Sequence, residues 1–259
     1  MPTENIHLNK LEDGIYEFVI SQPARRNAIK AQMWADIPKV LAEAQQAAGI
    51  KVLIVRGDGE HFASGADISE FGTLYASRES SKKISEDIAA GFNALAKFPL
   101  PTIAMIRGAC VGAGSGLAVC CDIRFADNTS KFAITPAKLG LVYPFADVSR
   151  LIEVVGMANA KDMLLSARLI KAKNAANIGL INELYKPDEL ETNVRTYARS
   201  VSALSTQSAI VTKKMFAAYQ SGQREDNSKT MDWFLDGFSS VDFEEGYNAF
   251  LEKRKPNFS

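Results

Sequence analysis

The hydrophobic pattern of the chain changes near Pro187, and this change is the feature that most restricts the fold. Before it, short β-branched runs at residues 15–20 and 51–56 alternate with helical patterns, as in strand–helix–strand units around a sheet. After it, strand signals stop and the helical pattern carries many aromatic side chains, which a solvated tail would lack. The sequence therefore predicts an α/β core followed by a helical region that packs on another surface, such as a second subunit.

Proline and serine suggest two interruptions in these elements. A helix is expected over residues 29–48 with a kink or break near Ile37, because Pro38 removes a backbone donor. The Ser-rich residues 77–85 are expected to form a mobile loop ahead of a helix at 88–98. Further helices are expected at 148–155 and 158–165.

Charge and hydropathy exclude several classes of partner. The 259 residues carry 30 Lys and Arg against 30 Asp and Glu, so no net charge favours nucleic acid or an anionic membrane. The longest uncharged stretch, residues 108–121, is shorter than the ~20 apolar residues that a membrane helix needs. The first residues do not resemble a signal peptide or a transit sequence, and a cytoplasmic location is expected.

Few side chains are suited to metal or nucleophilic chemistry. Three cysteines without CxxC spacing predict buried thiols, and two histidines leave little room for a triad or a metal site. Ser64 and Ser115 both lack the GxSxG context of a hydrolase nucleophile. The glycines at 112, 114 and 116 spell GxGxG, a weak match to dinucleotide-binding loops. No metal and no separate cofactor are expected.

Backbone amides remain as the candidate reactive groups. Ala66 and Ala113 each follow a predicted strand and a glycine, and Ala113 opens a helix. Unpaired N–H groups at such turns can stabilise a developing oxyanion if two of them converge on one oxygen. The alternative is that the small residues serve only close packing.

Five segments together resemble the crotonase superfamily, the enoyl-CoA hydratase/isomerase family. The resemblance is carried, in chain order, by residues 26–29 (RNAI), 62–68 (FASGADI), 108–122, 139–141 (LGL) and 249–254 (AFLEKR). It implies a spiral of repeated β-β-α units over residues 1–195 and a helical oligomerisation region over residues 196–259. It also implies an acyl-CoA thioester as the ligand, with coenzyme A as part of the substrate, and a homotrimer or a dimer of trimers.

The resemblance also implies roles for individual residues. Ala66 and Ala113 fall on the two oxyanion amides of the family. Arg25, Arg26 and Lys253 become candidates for phosphate contact, although each could equally be an exposed charge without a ligand. The full set of implied substrate contacts is Arg25, Arg26, Ala28, Ser64, Gly65, Asp67, Ile68, Phe250 and Lys253.

The sequence departs from the family where hydratases carry two glutamates. The first position falls on Gly116 and the second on Pro136, and neither residue can transfer a proton. A conventional two-glutamate hydration is therefore not expected.

Another residue must act as the base if the chain is an enzyme. Tyr143 and Asp147 follow the Gly140 turn, and Asp147 is favoured because an apolar acyl pocket would raise its pKa. Its alternative role is a helix N-cap ahead of Val148. Glu70 is a weaker candidate, with a solvated helix acid as the alternative.

A single carboxylate favours proton shuttling, which converts a 3-enoyl-CoA to a 2-enoyl-CoA. The alternatives are another reaction of the family, such as hydration with a displaced acid or thioester hydrolysis, and a binding-only paralogue without activity.

Overall fold

The computed structural model describes residues 5–258, which form an α/β protein with two sheets. The strands are β1 (Ile6–Glu12), β2 (Ile15–Ile20), β3 (Val52–Gly57), β4 (Thr102–Ile106), β5 (Ala109–Val111), β6 (Ile123–Asp127), β7 (Lys131–Ala133), β8 (Ile170–Lys171) and β9 (Glu183–Tyr185). The helices are α1 (Ala31–Gln46), α2 (Phe71–Leu74), α3 (Arg78–Ala96), α4 (Ala113–Cys120), α5 (Phe145–Ser166), α6 (Ala172–Asn177), α7 (Leu190–Ser202), α8 (Thr206–Gln220), α9 (Ser228–Asp236) and α10 (Val241–Leu251).

The larger sheet has the order β1-β2-β3-β4-β6-β9, and the smaller has the order β5-β7-β8. In the larger sheet β1 pairs with β2 antiparallel and the other pairs are parallel. Consecutive turns of the chain repeat one plan: a strand in the large sheet, a short strand in the small one, then a helix. The series β4-β5-α4 and β6-β7-α5 follow it, and the bridge between Ala63 and Cys110 gives β3 the same continuation before α3. The α/β class predicted from the sequence is confirmed.

Both faces of the large sheet are buried, as expected for parallel strands. In β3, Leu53 and Val55 face a core shared with α1, α3 and α4, whereas Val52 and Ile54 face α7. Since successive side chains alternate, one apolar strand supports both layers. The carboxyl ends of β2, β3 and β4 lead into the loops that carry the predicted site.

The predicted break near Ile37 is wrong, because α1 runs through Pro38 as one helix, whereas the alternative of a kink stays a prediction. Proline inside a helix costs about 3 kcal/mol. Here the helix buries apolar side chains on both sides of the proline, including Trp34 and Leu41, which are each 1% exposed. Burial of such side chains contributes about 1.5–3 kcal/mol each, so packing outweighs the lost hydrogen bond.

The predicted mobile loop at residues 77–85 is also wrong, because these residues form the start of α3. The Ser77 side chain accepts the Ser80 N–H at 3.1 Å, and the Ser80 hydroxyl accepts the Ser77 N–H at 3.1 Å. Lys83 pairs with Asp87 one turn later at 3.2 Å. A capping box and a pair four residues apart stabilise the polar first turns of α3, ahead of its buried apolar residues.

The helical pattern after Pro187 is confirmed by α7 to α10. The boundary implied between residues 195 and 196 falls within α7, which packs on the large sheet. The two helices expected at 148–155 and 158–165 are parts of α5, separated by Gly156, whose φ is 75°. Within residues 5–258, no helix combines the length and hydropathy required to cross a bilayer.

Candidate active site

Ala66 lies in the loop that follows β3, where its N–H is left without an acceptor. The Ile29 N–H donates to the Gly65 carbonyl at 2.8 Å, and the Asp67 N–H donates to the Ile29 carbonyl at 2.9 Å. These bonds flank Ala66 in a parallel bridge, so its own N–H points to the opposite side. Among the described residues, no backbone or side-chain acceptor takes this N–H.

Ala113 is the first residue of α4, and its N–H is also free of intrahelical bonds. Gly112 precedes it with φ 54° and ψ −119°, a conformation that favours glycine. The Gly112 N–H donates to the Ala133 carbonyl at 2.8 Å, which fixes the turn to β7. The positive end of the helix dipole adds to the field at the Ala113 amide.

The two amide-bearing turns are in direct contact. A Cβ placed on Gly65 would lie 3.7 Å from the Ala113 nitrogen and 3.2 Å from the Val111 carbonyl oxygen. A Cβ placed on Gly112 would lie 3.7 Å from the Gly65 Cα. Glycine at both positions therefore keeps the space beside the amides open. This arrangement suits an oxyanion hole, in which one donor is worth about 3 kcal/mol of barrier.

Close packing of α4 depends on two further glycines. A Cβ on Gly114 would lie 2.3 Å from the Ala63 carbonyl oxygen, and a Cβ on Gly116 would lie 2.6 Å from the Phe92 ring. Ser115 is buried between them, and its hydroxyl donates to the Cys110 carbonyl at 2.5 Å. The hydroxyl of Ser115 is thus used in holding α4 against β5.

Alanine at these two glycines is expected to destabilise the fold in different ways. The new methyl group of Gly114→Ala would clash with the backbone of Ala63. Truncation of a neighbouring side chain should therefore not restore the lost stability. Gly116→Ala meets the buried Phe92 ring and should cost about 1–3 kcal/mol, part of which Phe92→Leu restores. Urea unfolding of the single and double variants measures this. If Gly116→Ala is as stable as wild type, the packing of α4 against α3 is misassigned.

Phe92 and Tyr143 occupy the place where the resemblance puts the first hydratase glutamate. The Tyr143 hydroxyl oxygen would lie 3.0 Å from a Cβ on Gly116, beside the Phe92 ring. The sequence did not predict this, because Phe92 comes from α3 and Tyr143 from the segment before α5. Pro136, at the second glutamate position, begins a 3-10 turn.

Asp147 lies in the first turn of α5 and is 7% exposed. Arg150 Nη1 donates to its Oδ1 at 2.7 Å, and Arg150 Nη2 donates to Asn93 of α3. Burial raises the pKa of Asp147, and the neighbouring Arg150 charge only partly opposes this. Pro144, not Asp147, is the N-cap residue. Arg150, one turn after Asp147, could have been found from that spacing, whereas Asn93 had no sequence signal.

Glu70, the weaker candidate base, contacts the start of α1. Its Oε2 accepts the Ala31 N–H at 2.7 Å. This N–H belongs to the first turn of the helix, where a carboxylate satisfies an unpaired donor and complements the helix dipole. The structure therefore gives Glu70 a helix-capping contact.

Loss of this cap should appear in stability. Glu70→Ala is expected to lower the free energy of unfolding by about 1 kcal/mol, whereas Glu70→Gln retains an oxygen acceptor and most of the stability. Urea unfolding tests the difference. If Glu70→Gln loses activity at unchanged stability, Glu70 takes part in proton transfer.

Asp67 organises the implied CoA loop. Its buried carboxylate accepts the Ser69 hydroxyl at 2.6 Å and Arg25 Nη1 at 3.0 Å. The Ser69 hydroxyl, with the Ser69 N–H and the Arg25 charge, lowers the pKa of Asp67 despite its burial. Arg25 is more than half exposed, so its charge remains accessible to a ligand phosphate. Ser64 donates its hydroxyl to the Arg25 carbonyl at 3.1 Å, which joins this loop to the oxyanion loop.

The remaining loop residues lie beside these contacts. Arg26 is exposed, with φ 53°, and its carbonyl accepts the Ser64 N–H at 2.9 Å. Ala28 is buried, and Ile68 is exposed beside Asp67. Asn27, whose role the sequence did not predict, donates to the His61 carbonyl at 2.6 Å and holds the two loops together.

Phe250 and Lys253 lie at the opposite end of the sheet within one chain. Lys51, at the amino end of β3, donates to the carbonyl of Phe258 at 2.8 Å. The start of α10 is held by a hydrogen bond from Ser205, which follows the end of α7. Phe250, between these points, is 81% exposed. The structure thus does not bring Phe250 and Lys253 together with the two amides of the same chain.

A charged cavity of about 230 Å³ lies between the large sheet and α7. It includes none of the predicted site residues and is on the far side of the sheet from α4. Its lining consists of Glu17, Arg56, Gly57, Gly59, His61, Phe62, Met105, Arg107, Glu191 and Arg195.

Comparison with known proteins gives relatives along the whole chain. The family model for Enoyl-CoA hydratase/isomerase matches residues 10–259. A crotonyl-CoA hydratase from Syntrophomonas wolfei is 32% identical, with 100% of this chain and 99% of that protein covered. A peroxisomal Delta(3,5)-Delta(2,4)-dienoyl-CoA isomerase from Arabidopsis thaliana is 27% identical, with 96% of this chain and 94% of that protein covered.

Solved structures show the same likeness. The crystal structure of an enoyl-CoA hydratase/isomerase family protein from Hyphomonas neptunium has a TM-score of 0.96 and is 40% identical. The match covers 100% of this chain and 98% of that one. The extent of the family match and the likeness of the fold lead to one conclusion: the chain belongs to the enoyl-CoA hydratase/isomerase family.

Proposed function

We propose that this chain is an isomerase that converts a 3-enoyl-CoA to a 2-enoyl-CoA. The observation that carries the proposal is the contact between the Gly65 and Gly112 turns, which brings the loops that carry Ala66 and Ala113 together. Family membership supports acyl-CoA as the substrate class, and the name of the Arabidopsis relative includes a double-bond isomerisation.

The two amides would bind the thioester carbonyl oxygen. Removal of a C2 proton leaves a conjugated enolate whose negative charge resides largely on this oxygen. Both N–H groups are fixed before substrate arrives, so they stabilise the charge without reorganising. The enolate then collapses when a proton returns at C4, and the double bond lies between C2 and C3. One proton leaves C2 and one proton is added at C4, so the reaction balances and no co-reactant is needed.

Asp147 is proposed as the group that carries the proton. Burial raises its pKa, which makes the carboxylate a better base than an exposed one. Arg150 holds Oδ1, so Oδ2 remains for proton transfer. Glu70 is less suited because its carboxylate accepts the Ala31 N–H.

An absorbance assay of the conjugated thioester tests this reaction. Wild-type protein is expected to produce conjugation from a 3-enoyl-CoA and to leave a 2-enoyl-CoA unhydrated. Hydration of the 2-enoyl-CoA would show that an acid other than the two family glutamates activates water. Tight binding of both esters without turnover would favour a binding-only paralogue, and would contradict the isomerase.

The C-terminal helices support a proposal about assembly. Phe234, Phe238 and Phe243 form consecutive edge-to-face contacts, yet Phe234 and Phe238 are 58% and 57% exposed. Exposed apolar surface of this kind marks a contact surface. We propose that it is covered in a homotrimer or a dimer of trimers, in which Phe250 and Lys253 reach the CoA of a neighbouring subunit.

Light scattering of the purified chain should therefore give the mass of three or six copies. Phe238→Asp is expected to shift the mass toward the monomer and to raise the KM for acyl-CoA, because a charge on this face disfavours association. Ser200→Asp, on the exposed side of α7, is a matched control. A monomeric wild-type protein with full activity would contradict both the assembly and the shared site.

A further inference from the structure

Tyr143 presents a hydroxyl that the proposed reaction does not use. Its side chain packs against the main core, and the hydroxyl lies at the first turns of α4, 3.0 Å from where a Cβ on Gly116 would be. Within the described residues, no group accepts a hydrogen bond from it. Among the described residues, the fully buried side-chain polar atoms without a hydrogen-bond partner belong to Trp34, Thr206 and Arg195. The Tyr143 hydroxyl is not one of them, so it is not completely enclosed by the protein.

The position of this hydroxyl relative to the amides is set by α4. Gly116 follows Ala113 by three residues, which places it about 4.5 Å further along the helix axis. An acyl chain that runs from the Ala113 amide along α4 would therefore pass the Tyr143 hydroxyl several carbons from its carbonyl group. The Phe92 ring lies beside the hydroxyl and is apolar. Because Gly116 has no side chain, a space is left next to it, and of the three nearest atoms from outside α4 the Tyr143 hydroxyl oxygen is the polar one.

The chemical state of the phenol is also defined. Burial, with the nearby Asp147 charge, raises the pKa of Tyr143 well above 10. It is therefore neutral and able to donate a hydrogen bond at physiological pH. A half-buried phenol that donates to no protein group is available to donate to an oxygen atom of a ligand.

We propose that Tyr143 is a specificity-determining residue that donates a hydrogen bond to an oxygen atom on the acyl chain, beyond the carbons that exchange the proton. The site then prefers acyl-CoAs whose chain carries a hydroxyl or carbonyl group over those with a plain hydrocarbon chain. This inference rests on the proposed acyl-CoA site but not on the isomerase reaction.

Calorimetric binding of two matched ligands, hexanoyl-CoA and 5-hydroxyhexanoyl-CoA, tests the inference without turnover. Wild type is expected to bind the hydroxylated ester about 3- to 10-fold more tightly, the value of one added hydrogen bond. Tyr143→Phe removes only the hydroxyl and should bind the two esters within twofold of each other. Tyr247→Phe, on α10, should keep the wild-type preference, and thermal unfolding confirms that each variant folds.

Three results would overturn the inference in distinguishable ways. Equal binding of the two esters by wild type removes the role of Tyr143 but leaves the acyl-CoA site intact. A preference that survives Tyr143→Phe assigns the contact to another group. Failure of wild type to bind either ester contradicts the acyl-CoA site itself.

Discussion

Ala113→Pro is expected to lower kcat by about 10²–10³-fold while the protein stays folded. Proline removes the N–H that would stabilise the enolate oxygen, and loss of one such donor has this effect on rate. Ala113 is the first residue of α4, where proline is tolerated because that N–H has no helical partner. Gly112 has ψ −119°, outside the α region that a following proline disfavours.

Ala113→Ser is the matched control for this change. It alters the side chain but retains the amide, so kcat should stay near that of wild type. Steady-state kinetics and circular dichroism of both variants make the comparison. If the proline variant turns over as fast as the serine variant, the Ala113 amide is not an oxyanion donor.

Asp147→Asn is expected to reduce kcat by about 10²–10⁴-fold, the usual contribution of a general base. The amide oxygen can still accept from Arg150, so acyl-CoA affinity should change little. Asp162→Asn removes one charge from the same helix at an exposed pair with Arg168 and should leave kcat unchanged. Equal activity of the two variants would exclude Asp147 as the base.

The pH dependence of the same enzyme has a defined direction. Since burial raises the pKa of Asp147, activity should be lost on acidification at a pH above 3.8, the ordinary value for this group. The folded chain then binds this proton more tightly than the unfolded one. The contribution of Asp147 to the free energy of unfolding therefore falls as pH rises through that window.

The sequence indicates the backbone of the candidate site better than its packing, and the oxyanion role of the two amides stays a prediction. Gly65 and Gly112 mark turns that only glycine adopts easily, so these two turns could be placed from spacing and resemblance. Phe92 and Tyr143 could not, because 51 positions separate them and nothing local brings them to Gly116. The Arg150 bond to Asn93 likewise joins residues 57 positions apart.

Sequence patterns also gave wrong predictions of secondary structure in two situations. In one, tertiary packing outweighed the local preference, and in the other, a helix begins with polar contacts rather than with an apolar pattern. Pro38 normally ends a helix, but the buried face of α1 keeps it intact. The Ser-rich composition around Ser77 is typical of a loop, yet the Ser77 side chain caps α3. Strands of two or three residues, such as β7 and β8, are too short for a period-two pattern to reveal.

The central claim is that one base removes a proton from C2 and returns it at C4 while the amides hold the enolate. Its most direct test is isomerisation of a 3-enoyl-CoA that carries two deuterium atoms at C2, followed by kinetics and by NMR of the product. We expect a primary isotope effect on kcat/KM and a 2-enoyl-CoA that retains one deuterium at C2, with the other appearing at C4 or exchanged into water. Equal kcat/KM for the deuterated and the undeuterated ester would contradict the claim that removal of the C2 proton is the step that the amides accelerate.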